Sequence, residues 1–299
     1  DQARALDLAD TIEGPVFAST WAFGKAANEA AQKTLAHGDL LDAIEQGIRL
    51  VEADASNHSV GLGGTPNANG VVELDACIMD GTTYNAGSVA GMTGIAHPIS
   101  VARRVMEKTK HVMLVGAGAR AFALDQGLEA AELLTENRRQ KWEVWKKEQI
   151  EMSLQESHDT IALVGRAADG TLAGGCSTSG WGYKLAGRVG DSPIPGHGLW
   201  VHPEFGACVA TGSGELMMGS STAFLAVEEM RRGATTAAAL RAAIERTAEE
   251  QTLGPEDQVA LLALSPDGDW SAMSLRPGFR AVLSFGEQTE LIEPEHLSN

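Results

Sequence analysis

The sequence is short of cysteine, of long apolar runs and of positive charge, and each shortage excludes a class of protein. Its three cysteines, Cys77, Cys176 and Cys208, are far apart, odd in number and outside any C-x-x-C or Cys/His ligand spacing. Buried free thiols are therefore expected, and a zinc site is not. We predict no metal and no cofactor.

Apolar residues never run on for the roughly 20 positions that a membrane-spanning helix needs, so no membrane partner is expected. The opening Asp1-Gln2-Ala3-Arg4 is not typical of a signal peptide, and the initiator methionine is missing. A leader already removed would account for both. The expectation is a soluble protein whose compartment the sequence leaves open, periplasmic or secreted, or lysosomal in a eukaryote.

Acidic residues dominate the charge, with 40 Asp and Glu against 23 Lys and Arg and a formal net charge of -17. Such a surface repels phosphate backbones and anionic lipid headgroups. The sequence therefore predicts no nucleic-acid partner and favours a small-molecule substrate.

Strands, then helices, then strands follow one another in each half of the 299 residues. This order predicts an α+β protein with sheets covered by helices, in a layered αββα sandwich. In the first half we expect helices over residues 25–36 and 40–53, and a hairpin of strands over 59–64 and 71–80. In the second half, strands over 160–165 and 172–178 flank an Asp169-Gly170 turn.

A glycine-rich stretch, Gly116-Ala117-Gly118-Ala119-Arg120-Ala121, follows an apolar strand and matches the dinucleotide-binding pattern G-x-G-x-x-A. The acidic-tipped parallel strand that the fingerprint requires about 20 residues later is absent. We therefore interpret the stretch as a tight strand-to-helix connection. A dinucleotide-dependent oxidoreductase stays as an alternative from another class.

The most informative stretch is Ser157-His158-Asp159-Thr160-Ile161, where a polar run meets a new hydrophobic strand. A Thr hydroxyl at such a junction can attack the preceding carbonyl, which would free Thr160 as an N-terminal residue carrying nucleophile and base together. The alternative is a loop that ends before an ordinary β-branched strand. The dipeptide alone favours that alternative.

A second stretch, Gly187-Arg188-Val189-Gly190-Asp191-Ser192-Pro193, forms a rigid loop that carries one cation and one anion. Arg188 and Asp191 can bind the carboxylate and ammonium of a zwitterionic amino acid, or they can pair with each other. Downstream, Thr211-Gly212 ends a strand in a glycine turn and can form an oxyanion hole.

Together these stretches resemble the glycosylasparaginases (aspartylglucosaminidases), which are N-terminal nucleophile hydrolases. The resemblance covers nearly the whole chain. It includes Ser19-Thr20-Trp21, Ser59-Val60-Gly61, Leu74-Asp75-Ala76-Cys77-Ile78-Met79-Asp80, Pro98-Ile99-Ser100-Val101-Ala102-Arg103, His111-Val112-Met113-Leu114-Val115-Gly116, His158-Asp159-Thr160-Ile161, Gly187-Arg188-Val189-Gly190-Asp191-Ser192-Pro193-Ile194 and Ala210-Thr211-Gly212. Trp181 and Ser213 stand where the family pattern varies.

The resemblance implies one four-layer domain over residues 1–299, cleaved between Asp159 and Thr160 into an α subunit, 1–159, and a β subunit, 160–299. His158 and Asp159 would assist the cleavage, and Thr160 would be the nucleophile. Thr178 would hydrogen-bond near it and Ser59 would support it. Thr211 and Gly212 would form the oxyanion hole, Arg188 and Asp191 would hold the substrate's α-groups, and Trp21 would wall the pocket.

The function implied is hydrolysis of the amide between asparagine and an N-linked N-acetylglucosamine, through a β-aspartyl ester on Thr160. The partner would be a glycoasparagine, and two αβ units are expected to pair into an (αβ)2 dimer. The nearest alternative is a plant-type L-asparaginase or isoaspartyl peptidase, which shares the loop at Arg188. A non-catalytic small-molecule binding protein, left uncleaved, is a further alternative.

Overall fold

A computed structural model describes residues 12–148 and 159–297. In chain order its strands are β1 (Val16–Thr20), β2 (Leu74–Asp80), β3 (Asn85–Met92), β4 (Met113–Val115), β5 (Ile161–Arg166), β6 (Leu172–Thr178), β7 (Leu199–His202), β8 (Gly206–Gly212), β9 (Val259–Leu264), β10 (Trp270–Ser274), β11 (Ala281–Phe285), β12 (Gln288–Ile292) and β13 (Glu295–His296). Its helices are α1 (Gly24–Leu35), α2 (Leu40–Glu52), α3 (Pro98–Lys108), α4 (Gly116–Asp125), α5 (Glu136–Glu148), α6 (Gly214–Ser220), α7 (Thr222–Arg231) and α8 (Thr236–Glu250).

The strands form two sheets that stack face to face. The first sheet has the order β12-β11-β1-β5-β6-β2-β3-β4, and the second has the order β13-β10-β9-β8-β7. Most neighbours run antiparallel; the exceptions, β3 with β4 and β10 with β13, lie at sheet edges.

Three hydrophobic clusters define the layers. The first packs α1, α2 and α3 on the outer face of the first sheet, with Ile44, Ile48 and Ile99 fully buried. The second joins the inner faces of the two sheets, and the third packs α7 and α8 on the outer face of the second sheet. These clusters confirm the predicted α+β class and the four-layer αββα sandwich.

Local sequence explains where the two best-defined helices of the first layer begin. Asp39 caps α2 by accepting a 2.7 Å hydrogen bond from the Asp42 backbone, and the Asp42 side chain accepts one from the Asp39 backbone in return. Pro98 begins α3, where its missing N–H costs no helical hydrogen bond.

Strand direction gathers the predicted site residues at one end of the sandwich. The strands β1, β5, β6 and β2 are antiparallel neighbours, so the end of β1 lies beside the start of β5, the end of β6 and the start of β2. In the second sheet, β8 ends on the same side, at Thr211 and Gly212. Residues distant in sequence therefore meet at this edge.

One sequence expectation is wrong: residues 59–64 form turns and not a strand. Gly61 and Gly63 have φ values of +57° and +83°, outside the extended region, and they end any pairing there. The hairpin partner of β2 is β3 instead, with Cys77 opposite Ser88. The strand-to-helix connection at Gly116 and the turn at Asp169-Gly170 are as predicted.

Within the described ranges, the helices are too short or too polar to cross a bilayer.

Candidate active site

Thr160 lies directly before β5, buried to all but 4% of its surface. Its nitrogen donates to Thr211 Oγ1 at 3.4 Å, and its own Oγ1 lies 3.3 Å from Ser192 Oγ. Thr20 holds the backbone from the neighbouring strand, because its hydroxyl donates to the Thr160 carbonyl at 2.5 Å and accepts from Ala162 N at 2.9 Å. Hydroxyl and nitrogen of Thr160 thus each have a fixed polar neighbour.

Trp21, directly after β1, is bound to the same hydroxyl as Thr160. Its indole Nε1 donates to Thr211 Oγ1 at 3.1 Å, and its ring packs edge-to-face on Phe279 at 5.4 Å between centroids. Its φ of +63° is in the left-handed region, which is costly for a bulky residue and is a known feature of functional sites. Trp21 therefore lines the site and also orients Thr211.

The turn after β8 depends on glycine at position 212. Gly212 has a φ of +124°, and a Cβ built there would lie 2.2 Å from the carbonyl oxygen of Gln258. The adjacent Ser213 N donates to that same oxygen at 2.7 Å. Thr211 is fully buried, and because two N–H groups donate to its hydroxyl oxygen, its own O–H points away from both.

Thr178 and Ser59 lie next to each other at the end of β6, both buried. The Thr178 hydroxyl donates to the Ser59 carbonyl at 3.4 Å and accepts from Gly180 N at 3.0 Å. Ser179 N also donates to the Ser59 carbonyl, at 2.7 Å. No hydrogen bond joins Thr178 to Thr160 among the described residues, so the structure ties Thr178 to the Ser59 loop rather than to the threonine at the junction.

Arg188 does not form its ion pair with Asp191. Its guanidinium instead makes a two-pronged pair with Glu215, with Nε–Oε1 and Nη2–Oε2 distances of 2.9 and 2.6 Å. The guanidinium carbon also lies 4.3 Å from the centre of the Trp181 ring. Glu215 is in the first turn of α6, so a helix of the outer layer and an aromatic ring together fix this cation.

Asp191 is the buried anion of the same loop, and its Oδ2 has no hydrogen-bond partner among the described residues. Burial raises the pKa of its carboxyl to about 7, against the opposing effect of Arg188. A buried carboxylate without a partner is costly, so such an oxygen is suited to accept a ligand cation. Arg188 and Asp191 therefore do not pair with each other, and the Oδ2 atom of Asp191 is left available to a ligand.

Three functional candidates were not identified from the sequence: Ser192, Glu215 and Lys184. Ser192 touches Thr160, Glu215 holds Arg188, and Lys184 is a lysine buried to all but 5% of its surface. The first two belong to stretches already considered, but their partners lie 32 and 27 residues away and have no local sequence signature. For Lys184 the only signal is its position between Trp181 and Arg188.

Of the two residues expected to assist cleavage, Asp159 is half-buried beside Thr160. Burial raises the pKa of its carboxyl to about 6, so the group is mainly ionised at neutral pH while remaining a stronger base than an ordinary aspartate. His158 lies outside the described residues.

The arrangement can support acyl transfer. A hydroxyl that can attack, a nitrogen next to it and a buried hydroxyl-and-glycine turn at Thr211 and Gly212 are the parts that such a reaction requires. Arg188, which is bound to Glu215, and the buried Asp191 add one cation and one anion on the same loop, which matches the two charges of an amino acid.

Comparison with known proteins agrees with this chemistry. An asparaginase family model matches residues 4–289. The chain is 47% identical to an N(4)-(beta-N-acetylglucosaminyl)-L-asparaginase of Elizabethkingia miricola over 92% of this chain and 84% of that protein. It is 35% identical to the mouse protein of the same name, over 86% of this chain and 83% of the mouse protein. It is also 37% identical to the rat protein, over 78% and 76%.

Proposed function

The chain belongs to the asparaginase family, and from this premise we propose that it is an amidohydrolase of glycoasparagines. It cleaves the amide between asparagine and N-acetylglucosamine, the activity named in the relatives from Elizabethkingia miricola, mouse and rat. Thr160 is the nucleophile, after the chain has cut itself between Asp159 and Thr160. The fold is the αββα sandwich of the N-terminal nucleophile hydrolases.

Self-cleavage begins when Thr160 Oγ attacks the carbonyl carbon of Asp159. The C–N bond breaks, the nitrogen of Thr160 becomes an amine, and the acyl group is left as an ester on Oγ. Water then hydrolyses the ester, which restores the hydroxyl and releases the Asp159 carboxylate as a new chain end. The Asp159 side chain, with its pKa near 6, can accept the hydroxyl proton at neutral pH.

Turnover uses the same hydroxyl with the new amine as its base. The α-amine of Thr160, whose ordinary pKa is about 7.7 to 8.0, accepts the proton as Oγ attacks the side-chain carbonyl of the substrate. Thr211 and Gly212 stabilise the oxyanion. The amine passes its proton to the departing glycosylamine, and water then cleaves the β-aspartyl ester to give aspartate and free Thr160.

Substrate recognition falls to the Arg188 and Asp191 loop. Arg188 binds the α-carboxylate, and the buried Asp191 oxygen accepts from the α-ammonium. The contact of 3.3 Å between Thr160 Oγ1 and Ser192 Oγ supports this assignment, because Ser192 follows Asp191 directly. This contact places the recognition loop next to the nucleophile. The side chain of asparagine is short, so its amide reaches Thr160 only when the α-groups are held close by.

The observation that carries the proposal is the position of Thr160, at the start of a buried strand with its hydroxyl and its nitrogen against Ser192 and Thr211. Intact-mass measurement of the purified protein is expected to show two chains divided between Asp159 and Thr160. Thr160→Ala is expected to remain one inactive chain. A single full-length chain in active wild-type protein, with activity retained in Thr160→Ala, would contradict the proposal.

Substrate choice is tested by comparing hydrolysis of GlcNAc-asparagine with that of a β-aspartyl dipeptide and of L-asparagine. The names of the relatives lead us to expect faster hydrolysis of the glycoasparagine. Faster hydrolysis of the dipeptide or of asparagine would instead indicate an isoaspartyl peptidase or a plant-type asparaginase.

Assembly and compartment remain predictions from the family resemblance. We expect two cleaved αβ units to associate, and light scattering coupled to gel filtration would give the mass of the assembly. A mass of one αβ unit over the micromolar range would contradict this.

A further inference from the structure

A buried ion pair lies behind the loop that carries Arg188. The side chain of Lys184 is 1% exposed and that of Asp75 is 0% exposed, with Nζ and Oδ2 3.8 Å apart. Asp75 begins the pairing of β2 with β6, opposite Thr178, so the pair is anchored in the first sheet. Lys184 belongs to the segment that leads into Arg188.

The two cations of this segment, Lys184 and Arg188, come close to each other beside Gly180. A Cβ built on Gly180 would lie 3.0 Å from Lys184 Nζ and 3.2 Å from Arg188 Nη1. Nη1 of the guanidinium therefore lies near the lysine ammonium, while Nε and Nη2 are bound by Glu215. Repulsion between like charges at this range pushes Arg188 toward Glu215.

Asp75 is a buried anion that lies next to Lys184 and is also influenced electrostatically by Arg188. Its Oδ1 accepts from Gly91 N at 2.7 Å, but its Oδ2 has no hydrogen-bond partner among the described residues. Burial raises the pKa of this carboxyl, and Lys184 and, more weakly, Arg188 oppose the effect. An anion buried in this way attracts any nearby cation when its own partner is removed.

We propose that Lys184 is a positioning residue for substrate recognition: by neutralising Asp75 and repelling Arg188 beside Gly180, it keeps the guanidinium against Glu215, in the position from which it binds the α-carboxylate of the substrate. This inference rests on the proposed function, because it assigns Arg188 to that carboxylate. Without the lysine, Asp75 draws Arg188 inward and away from the substrate.

A purely structural ion pair makes a different prediction. Removing either partner of such a pair leaves a buried charge alone, so Lys184→Gln and Asp75→Asn would be equally harmful to stability and to ligand binding. A positioning role predicts that the two variants differ in ligand binding. Only the loss of the lysine leaves an unpaired anion that pulls Arg188 inward.

The experiment measures inhibition of the cleaved enzyme by two probes. L-aspartate carries the α-carboxylate, and β-alanine is the same molecule without it. For Lys184→Gln we expect the Ki of L-aspartate to rise about tenfold, equivalent to the loss of one charge-assisted contact, and the Ki of β-alanine to change by less than about threefold. In the same variant, the KM for GlcNAc-asparagine is expected to rise along with the Ki of L-aspartate, while kcat changes much less.

Three further proteins complete the design. Asp75→Asn and the double variant Asp75→Asn/Lys184→Gln are expected to keep the Ki of L-aspartate within about threefold of wild type, because neither has an anion at position 75 that attracts Arg188 inward. Lys33→Gln removes an exposed lysine from α1 and is the charge-matched control. Equal rises in Ki for both single variants, following their loss of Tm, would overturn the inference.

If Lys184→Gln fails to fold, Asp75→Asn decides the question. A Ki for L-aspartate near that of wild type despite a lower Tm supports the positioning role, and a tenfold rise overturns it. A wild-type protein that neither hydrolyses GlcNAc-asparagine nor responds to L-aspartate overturns the proposed function and this inference together. An inhibited wild type with an equally inhibited Lys184→Gln variant overturns the inference alone.

Discussion

The indole of Trp21 donates a 3.1 Å hydrogen bond to the hydroxyl oxygen of Thr211, which also accepts from the nitrogen of Thr160 at 3.4 Å. A residue on the first sheet thereby orients a hydroxyl on the second, across the edge where the two sheets meet. The left-handed backbone of Trp21 is the conformation that turns its ring toward that hydroxyl. Trp21, which we expect to wall the pocket, thus also orients the hydroxyl of the proposed oxyanion hole.

Trp21→Phe is expected to lower kcat about tenfold with little change in KM. The phenyl ring keeps the wall and the contact with Phe279, but the hydrogen bond that orients Thr211 is lost, and one such bond is worth about 1 kcal/mol or slightly more. Steady-state kinetics on GlcNAc-asparagine measure the effect. Trp200→Phe, on β7 among Tyr84 and Phe224, is the control. Equal loss of kcat in both variants would contradict the assignment.

Asp191→Asn is expected to stabilise the protein above pH 7 while weakening substrate binding. Burial raises the pKa of Asp191 from 3.8 to about 7, so the folded state prefers the protonated form. The associated stability is complete below about pH 4 and is lost as the pH rises through 7, up to roughly 4 kcal/mol in total. Replacement by a neutral amide removes that loss.

Thermal unfolding of wild type and Asp191→Asn between pH 4 and 9 tests this. The difference in Tm is expected to be small near pH 4, to grow up to pH 7 and to level off above it. Asp169→Asn, in the exposed turn between β5 and β6, is the control. Its effect on Tm is expected to have the opposite sign, because the pKa of Asp169 is lowered by its hydrogen bonds to Thr171. A lower Tm for Asp191→Asn at pH 8 would show that its carboxylate is paired in the folded protein.

Glu215→Gln is expected to raise KM about tenfold and to alter kcat far less. The carboxylate accepts from two N–H groups of Arg188, and the amide can accept only one of those hydrogen bonds. Glu215→Asp keeps the charge and is expected to recover part of the loss. Glu228→Gln breaks an equally two-pronged pair with Arg231 on α7, far from Arg188 in the sequence, and provides the matched control. A lower KM in Glu215→Gln would mean that Glu215 competes with the substrate for Arg188.

Much of the fold could be predicted from the sequence because its signals are local. Helical spacing of Ile44 and Ile48 marks α2, and Asp169-Gly170 marks the turn between β5 and β6. The stretch from Ser59 to Gly64 misled because Val60 and Leu62 alternate with smaller residues, and alternation is typical of strands. The positive φ at Gly61 and Gly63 cannot be inferred from that alternation.

The site was predictable only in part, for a physical reason. Residues such as Thr160 and Asp191 lie in distinctive sequence motifs, so the family resemblance was enough to predict their roles. The partners that hold these residues are ordinary side chains that act through long-range contacts: Glu215 on Arg188, and Asp75 on Lys184. Such pairs depend on which strand and helix ends meet, and this is decided by the packing of the two sheets.

Self-cleavage is expected to depend on the ionisation of Asp159. If its carboxylate accepts the proton of the Thr160 hydroxyl, the rate of cleavage follows the ionised fraction and falls about tenfold per pH unit below the pKa near 6. Newly synthesised chain from a cell-free reaction, followed by gel electrophoresis between pH 4.5 and 8, gives this profile. Thr160→Ser retains the hydroxyl and is expected to cleave, whereas Thr160→Ala is not.

Asp159→Asn removes the base and is expected to slow cleavage about a hundredfold or more, within the range of general base catalysis, and to abolish the acidic limb of the profile. Asp159→Glu restores a carboxylate in a longer side chain and is expected to recover part of the rate. Once cleaved, Asp159→Asn protein is expected to turn over GlcNAc-asparagine like wild type, because residue 159 is then a chain end and the amine of Thr160 is the base. A profile that keeps its acidic limb in Asp159→Asn would assign the proton transfer to another group.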